Sequence, residues 1–437
     1  MPFNGISCLI LIATFRRLVL MKNNLSHFAI AASTFVLMSA CTAASEQDAP
    51  IETKPTTTQS EATQKTEPRP KPVETAQSSD EIIPCTEVFL TGTGGGPAPQ
   101  FGNAQSSVFI RSGDSSNGCN AVRLQFDAGR GTLLNLSRIK APTRPGFVTP
   151  PSLSAVFLTH GHSDHTSSIP DIIETHWILT KNDGQFSSLK PPKPKYKKLP
   201  VICFDQTCDV VENALVPWES HEIPSRAEKD QRQVLPSADM KKFQTSTTPQ
   251  TVWSQGDINV KAVEVIHIAG SVGYLIETPA GDVCISGDTA YSENFMAMCE
   301  NAEVIIHEVI HPALKNIAQS VANPDPNFTQ VIGNIYKSHT STDDFGKMND
   351  NDAVMVLTHI IPPIGAGGFQ GMPLAPQLAK SQTGRKKGPT RSEDFCHAIR
   401  QSGFTQALHV GRDLTQINLK PGSVDVIPPE NQTTQCP

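Results

Sequence analysis

The stretch Ala155-Val156-Phe157-Leu158-Thr159, followed by His160-Gly161-His162-Ser163-Asp164-His165, constrains this chain more than any other. An apolar run of strand character ends in three histidines and an aspartate, so polar side chains gather where a buried strand leaves a sheet. Open α/β sheets place their chemistry at such strand ends. Neutral imidazoles and a carboxylate are borderline-soft nitrogen and oxygen donors, suited to zinc and compatible with manganese or iron. His160 and His162, two apart on extended backbone, can point to one metal. Asp164 and His165, at the turn into a helix, can point to another. A histidine-rich loop at a helix start is the blander alternative, and the strand in front of the motif weighs against it.

Composition removes part of the 437 residues from any fold. Residues 1–41 read as targeting sequence: Met21-Lys22-Asn23-Asn24 is a charged start, and Phe28 to Ala40 is an apolar run too short to span a bilayer with polar flanks. Met21 is the better start. Leu37-Met38-Ser39-Ala40-Cys41 resembles a bacterial lipoprotein signal, in which the cysteine carries the lipid; an ordinary secretory signal is the fallback. Residues 42–80 are Thr, Glu, Gln, Lys, Pro and Ser with almost no large apolar side chains, a composition that reads as a disordered tether. The catalytic domain is expected over 81–437. The formal charge of −6 becomes about −9 without Arg16, Arg17 and Lys22, which does not favour nucleic acid as a partner. Eight cysteines remain outside the targeting segment, an even number that suggests disulfides in an exported protein, with Cys203 and Cys208 the readiest local pair.

Along the domain, Glu87 to Thr91 is a strand running into Gly92-Thr93-Gly94-Gly95-Gly96-Pro97, a turn whose amides could approach an anion. Ser106 to Arg111 and Ala121 to Asp127 read as paired strands, and a short helical stretch covers about Leu133 to Ile139. Ile169 to Leu179 is helical in character. Residues 181–250 shift to polar loops with the basic run Pro191 to Lys198, and are expected to be an insertion forming a lid or rim. Beyond it, Val260 to Ile266 ends in His267, and Val283 to Ser286 ends in Gly287-Asp288-Thr289. Val304 to Ile306 ends in His307-Glu308, and Ala353 to Thr358 ends in His359. Ser292 to Cys299 fits a capped helix, and Thr340 with Asp343 fits a capping box.

His160 with its neighbours, His267, Asp288, Glu308 and His359 thus all lie at strand ends. HxHxDH resembles the metallo-β-lactamase superfamily of binuclear metal hydrolases. The series THGHSDH, His267 before a GY strand, SGDTA, HE, SHTS and LTH resembles its ribonuclease Z-like branch over about residues 87–413. Within that branch, GTGGGP, SGDTAYSENF, SHTSTDDFGKM and GRDL look most like arylsulfatase and phosphodiesterase-type members. The resemblance implies an α/β fold, a four-layer αββα sandwich of the α+β kind, holding two divalent ions, zinc before manganese or iron. It also implies that His160, His162 and His267 hold one metal, that Asp164, His165 and His359 hold the other, and that Asp288 bridges them. Asp127-Ala128-Gly129 resembles the DxG in which a strand of the metallo-β-lactamase superfamily commonly ends, which implies that Asp127 orients a ligand histidine.

By the same resemblance the catalytic residues are Asp164, Glu308 and His339. Two cations sharing a carboxylate lower the pKa of a bridging water, which Asp164 can orient. His339, expected at a helix N-terminus, can bind a developing charge and protonate the leaving group, with Glu308 holding its other nitrogen. The implied activity is hydrolysis of a phosphodiester or sulfate ester of a small molecule. Only about twenty residues separate His267 from Asp288, which leaves no room for the long arm of transfer-RNA-processing members. A β-lactamase or lactone hydrolase, and a non-enzymatic exported binding protein on the same scaffold, are the alternatives. The expected location is the cell envelope, lipid-anchored through Cys41 on the periplasmic side, or soluble in the periplasm or secreted.

Overall fold

Apolar residues alternate along β1 (Pro84–Gly92): Val88 and Leu90 face one buried layer and Phe89 faces another. Burial on both faces recurs in every central strand, which is why these strands read as near-continuous hydrophobic runs. The computed structural model describes residues 81–97, 102–142, 146–182, 198–229, 238–312, 315, 326–349, 352–365 and 390–437. The expected targeting segment and tether, and all but Lys198 of the basic run Pro191 to Lys198, lie outside these residues.

The first sheet adds β2 (Ser107–Asp114), β3 (Val122–Phe126), β4 (Ala155–Phe157), β5 (Leu199–Phe204) and β6 (Ala238–Phe243) on one side of β1. On the other side lie β14 (Gln416–Lys420) and β15 (Ser423–Ile427). The second sheet runs in the order β13 (Leu408–Val410), β12 (Val354–Ile361), β11 (Val304–Ile310), β10 (Val283–Ile285), β9 (Val272–Glu277), β8 (Ile258–Glu264) and β7 (Gln250–Gln255). Between the sheets Val88, Leu90, Ile110, Leu124 and Phe157 meet Val260, Tyr274, Ile276, Ile306 and Val356. Phe157 stacks on Phe126 with ring centroids 4.7 Å apart and meets Tyr274 edge-on. The Tyr274 hydroxyl donates to the Leu158 carbonyl at 2.7 Å, tying the second sheet to the first two residues before His160.

Each outer face carries helices. Ile169, Ile172 and Ile173 of helix Ile169–Asn182, with Val211 and Leu215 of helix Asp205–Pro217, cover the first sheet. Phe295 and Met298 of Glu293–Met298, with Phe395 and Ile399 of Ser392–Gln401, cover the second. The architecture is the expected α/β sandwich, four layers in the order αββα. Among the described residues four disulfides join Cys85 to Cys119, Cys203 to Cys208, Cys284 to Cys299 and Cys396 to Cys436, the local Cys203–Cys208 bridge among them.

One boundary differs from expectation. Residues 199–243 supply β5 and β6, which pair parallel with β4 and with each other, and β7 begins at Gln250. This part of the 181–250 stretch is sheet edge and its covering helix, not a lid. Its polar residues lie mostly on the helical segment 205–229 and on the edge strand β6, which composition alone does not separate from loop.

Candidate metal centre

β3, β4, β10, β11 and β12 are joined by parallel pairings β3–β4, β10–β11 and β11–β12, so their C-terminal ends open onto common ground. Asp127 follows β3, His160 follows β4 and Asp288 follows β10. Glu308 lies in β11 and His359 in β12. His162 caps the short helix Ser163–Thr166, which carries Asp164 and His165 in its single turn. All nine residues anticipated from the sequence converge here. His160, His162, His267 and Asp288 form one group; Asp164, His165, Asp288 and His359 form a second; Glu308, His339 and His359 form a third. Within each group the donor atoms lie within 4.8 Å of one another.

Asp288 sits between the first two groups. Its Oδ2 is 3.7 Å from His160 Nε2, 3.7 Å from His267 Nε2 and 3.3 Å from His359 Nε2, while Oδ1 is 3.2 Å from His165 Nε2. The imidazoles are oriented from behind. His165 Nδ1 donates to Asp127 Oδ2 at 2.8 Å, and His267 Nδ1 donates to the Ser338 carbonyl at 2.8 Å. Thr159 donates its hydroxyl proton to Asp127 Oδ2, also at 2.8 Å, so a lone pair of Thr159 Oγ1 is left to accept from His160 Nδ1 at 3.1 Å. In all three rings the proton is thereby drawn to Nδ1 and Nε2 turns toward Asp288.

The donors fit divalent cations on an observation of their own. His160 Nε2, His165 Nε2 and Asp288 Oδ1 are buried, converge, and have no hydrogen-bond partner, an arrangement that costs several kcal/mol unless something positive lies between them. His162 Nδ1 and His267 Nε2 face each other at 3.1 Å, which also suits a shared cation. Imidazole and carboxylate without thiolate match zinc, manganese or iron.

Residues 123–323 match the family model described as a β-lactamase superfamily domain. Ribonuclease Z of Mycolicibacterium gilvum (strain PYR-GCK) is 24% identical over 341 residues, covering 77% of this chain and 97% of that one. Ribonuclease Z of Mycobacterium bovis (strain BCG / Pasteur 1173P2) is 25% identical over 340 residues, covering 77% and 99%. This chain carries a metallo-β-lactamase superfamily domain. Its relatives support the ribonuclease Z-like branch, and the superfamily makes it a metal-dependent hydrolase. Among solved structures, the metallo-β-lactamase fold protein YhfI from Bacillus subtilis superposes with a TM-score of 0.48 and 16% identity, over 77% of this chain and 99% of that one.

The electrostatics of this metallo-β-lactamase domain oppose burial with charge pairing. Burial works against ionisation of Asp164, but the His359 ring, whose Nε2 lies 3.2 Å from Oδ2, and the charge of His165 outweigh it and hold the carboxyl at about 2. Burial likewise opposes ionisation of Asp288, and His165 and His359 overcome it. His160 is pushed well below its ordinary value by burial and then by His165. Burial opposes a charge on His339, yet the Glu308 carboxylate, 2.8 Å from Nδ1, pushes its pKa up to about 9.

His339 departs from expectation in its support. It follows helix Pro326–Lys337 and precedes the 3-10 helix Thr342–Met348, whose N-cap is Ser341, so it is not in a helix N-terminal turn. The Thr340–Asp343 capping box is not formed: the Ser341 hydroxyl accepts from the Asp343 N–H, and Thr340 Oγ1 donates to the Thr289 carbonyl at 2.7 Å. Glu308, rather than a helix dipole, orients His339. A second departure is His359, which lies inside β12 at φ 41° where the register against β11 shifts by one residue. That bulge turns its ring into the centre.

Thr159 is the functional residue that sequence reading passes over. Its N–H donates to Asp127 Oδ1 at 2.8 Å and its hydroxyl serves both Asp127 and His160. The available signal is a lone hydroxyl ending an apolar run directly before the first histidine.

Proposed function

We propose that this protein hydrolyses a phosphodiester of a small molecule, using two divalent cations. The observation that carries the reading is the Glu308–His339 pair beside the two donor groups. Glu308 Oε1 accepts from His339 Nδ1 at 2.8 Å and from the Thr289 N–H at 2.8 Å, which fixes the imidazole with its other nitrogen turned away from the carboxylate. A fixed imidazole N–H next to a metal centre suits a leaving group of high basicity, as in a phosphate ester, which needs a proton as the bond breaks. The names of the relatives point to the same bond, since a ribonuclease cleaves a phosphodiester.

His160, His162, His267 and Asp288 would hold one cation, and Asp164, His165, Asp288 and His359 the other. Cations held there would supply a lowered pKa for bound water and would offset charge on a phosphoryl oxygen. The chain's own groups do the rest. Asp164, kept ionised beside His359, orients the attacking water by accepting its proton. His339 delivers a proton from Nε2 to the departing oxygen, and Glu308 stabilises the imidazole through that transfer. Residues 267–288 are taken up by the β9–β10 hairpin, paired antiparallel within the sheet, so this segment offers no projecting arm for a large RNA. Four disulfides support export to an oxidising compartment, where a lipid on Cys41 would hold the domain at the membrane.

The test is metal analysis of the purified protein, followed by turnover of bis-aryl phosphate, aryl sulfate, cyclic nucleotide, transfer-RNA precursor and β-lactam. Turnover of a small phosphodiester at least tenfold above the others is expected. Full metal loading with no phosphodiester turnover would remove the reading.

A further inference from the structure

The glycine-rich turn after β1 and the arginine after β3 are not used by the chemistry just described, and they meet at the rim of the centre. We propose that the Gly96 amide and Arg130 form a subsite for a phosphate group of the substrate, beside the Asp164, His165 and His359 half. The subsite rests on the phosphodiester reading only in making that phosphate part of the substrate.

The turn lies hard against β12. A Cβ at Gly95 would come within 2.8 Å of the His359 carbonyl oxygen and 2.7 Å of Ile361 Cγ1, so only glycine permits this approach. Gly96, at φ 88°, then directs its N–H at His359 Nε2 over 3.3 Å. When that nitrogen's lone pair is given to a cation, the amide is left facing whatever oxygen arrives beside it. The turn is held rigidly for this. Thr93 donates its N–H and its hydroxyl to Asp413 Oδ1 at 2.9 and 2.8 Å, the Gly94 N–H donates to the Ala104 carbonyl, and Gln105 Nε2 donates to the Gly96 carbonyl at 2.7 Å.

Arg130 reaches the same turn. Its Nη1 donates to Gln105 Oε1 at 2.7 Å and to the Pro97 carbonyl at 3.1 Å, one residue beyond Gly96. Gly129, just before it, sits so close to the short metal-binding helix that a Cβ there would lie 2.1 Å from the Asp164 carbonyl oxygen. Both partners of Arg130 are neutral oxygens. Among the described residues no carboxylate pairs with it, and the side chain is exposed. A guanidinium clamped at one nitrogen, uncompensated in charge and with its remaining N–H groups open, is preorganised for a phosphate oxygen. A solvated surface arginine would lack the clamp, and a structural ion pair would have a carboxylate.

The experiment uses the full-length, zinc-loaded protein with inorganic phosphate as the probe, measured by calorimetry, and compares wild type with Arg130→Gln and Arg130→Lys. Phosphate affinity is expected to fall roughly 10- to 30-fold in Arg130→Gln. Arg130→Lys should recover only part of it, since it restores charge without the planar fork. For bis-aryl phosphate the loss should appear in KM more than in kcat. The unfolding midpoint is measured alongside: a lowered midpoint with unchanged phosphate affinity would make Arg130 a loop clamp alone and overturn the subsite. No phosphate binding by wild type at millimolar concentration would overturn it as well. Arg130-dependent phosphate binding in a protein that turns over no phosphodiester would leave the subsite standing and remove the proposed activity instead.

Discussion

Replacing Asp127 by Asn isolates the arrangement behind the donor set. Asp127 sits at φ 51°, a left-handed conformation that Asn adopts readily, so the backbone is not strained by the change. The carboxylate receives three bonds, each 2.8 Å long: His165 Nδ1 and the Thr159 hydroxyl on Oδ2, and the Thr159 N–H on Oδ1. Asparagine keeps Oδ1 as an acceptor but presents an NH2 where Oδ2 was, toward two groups that both donate. The charge-assisted bond to His165 is lost, a change of about 1.5–3 kcal/mol for a hydrogen bond to an ionised partner. Its proton is then free to move to Nε2, the nitrogen that should face the cation. At about 1.4 kcal/mol per tenfold, the affinity of the Asp164, His165, Asp288 and His359 group should fall roughly 10- to 100-fold. The first group should lose less, because only His160 touches the network, and that through Thr159. Zinc titration against a competing chelator resolves the two constants, and nitrogen chemical shifts of the His165 ring report its tautomer. Two constants equal to wild type, or a larger loss at the first group, would refute the second-layer account.

Three further outcomes follow from other residues. His339→Ala should lower phosphodiester turnover about 10²- to 10⁴-fold while metal analysis still finds the wild-type content, because His339 belongs to neither metal-binding quartet; unimpaired turnover would end its role as proton donor. Glu174, buried with Oε1 unpaired, has its carboxyl raised by burial, and then by Glu222, from 4.5 to about 6. A raised folded-state pKa gives a stabilising contribution that is full below the unfolded value and lost as pH rises through 6. Glu174→Gln should therefore stabilise the protein by about 1 kcal/mol at pH 7.5 and by nothing at pH 4.5, measured by denaturant unfolding at both pH values. Removing the Cys85–Cys119 bridge by a double change to serine opens a loop of sequence separation 34, and should lower unfolding stability by about 2–4 kcal/mol.

The donor set itself was legible because its members mark the ends of strands, and strand ends are written locally. Apolar runs before His160, Asp288 and Glu308 give the strand, and the polar residue after or near its end gives the site. The Ser292 cap was legible for the same reason, its hydroxyl accepting from the Phe295 N–H three residues on. Local pattern failed where two local solutions compete. Ser341 and Thr340 are both competent N-caps; the Ser341 hydroxyl accepts from the Asp343 N–H, while the Thr340 side chain is turned to donate to the Thr289 carbonyl, 51 residues away in sequence. The 181–250 stretch failed similarly, since the outer faces of the helical segment 205–229 and the edge strand β6 share the polar composition of loops.

By itself the sequence determined the residue types that can hold two cations, the strands that present them and the sandwich those strands build. The strands follow from the side-chain period and the donor types from the chemistry of imidazole and carboxylate, while the sandwich and the pair of cations follow from the resemblance to the metallo-β-lactamase superfamily. Tertiary structure alone decided the rest: that a bulge turns His359 inward, that Glu308 replaces a helix dipole behind His339, and that Arg130 meets the turn at Gly96 and Pro97. Such relations depend on how separately folded segments register against one another. A shift of one residue in a strand moves a side chain to the opposite face, and no pattern along the chain records that shift.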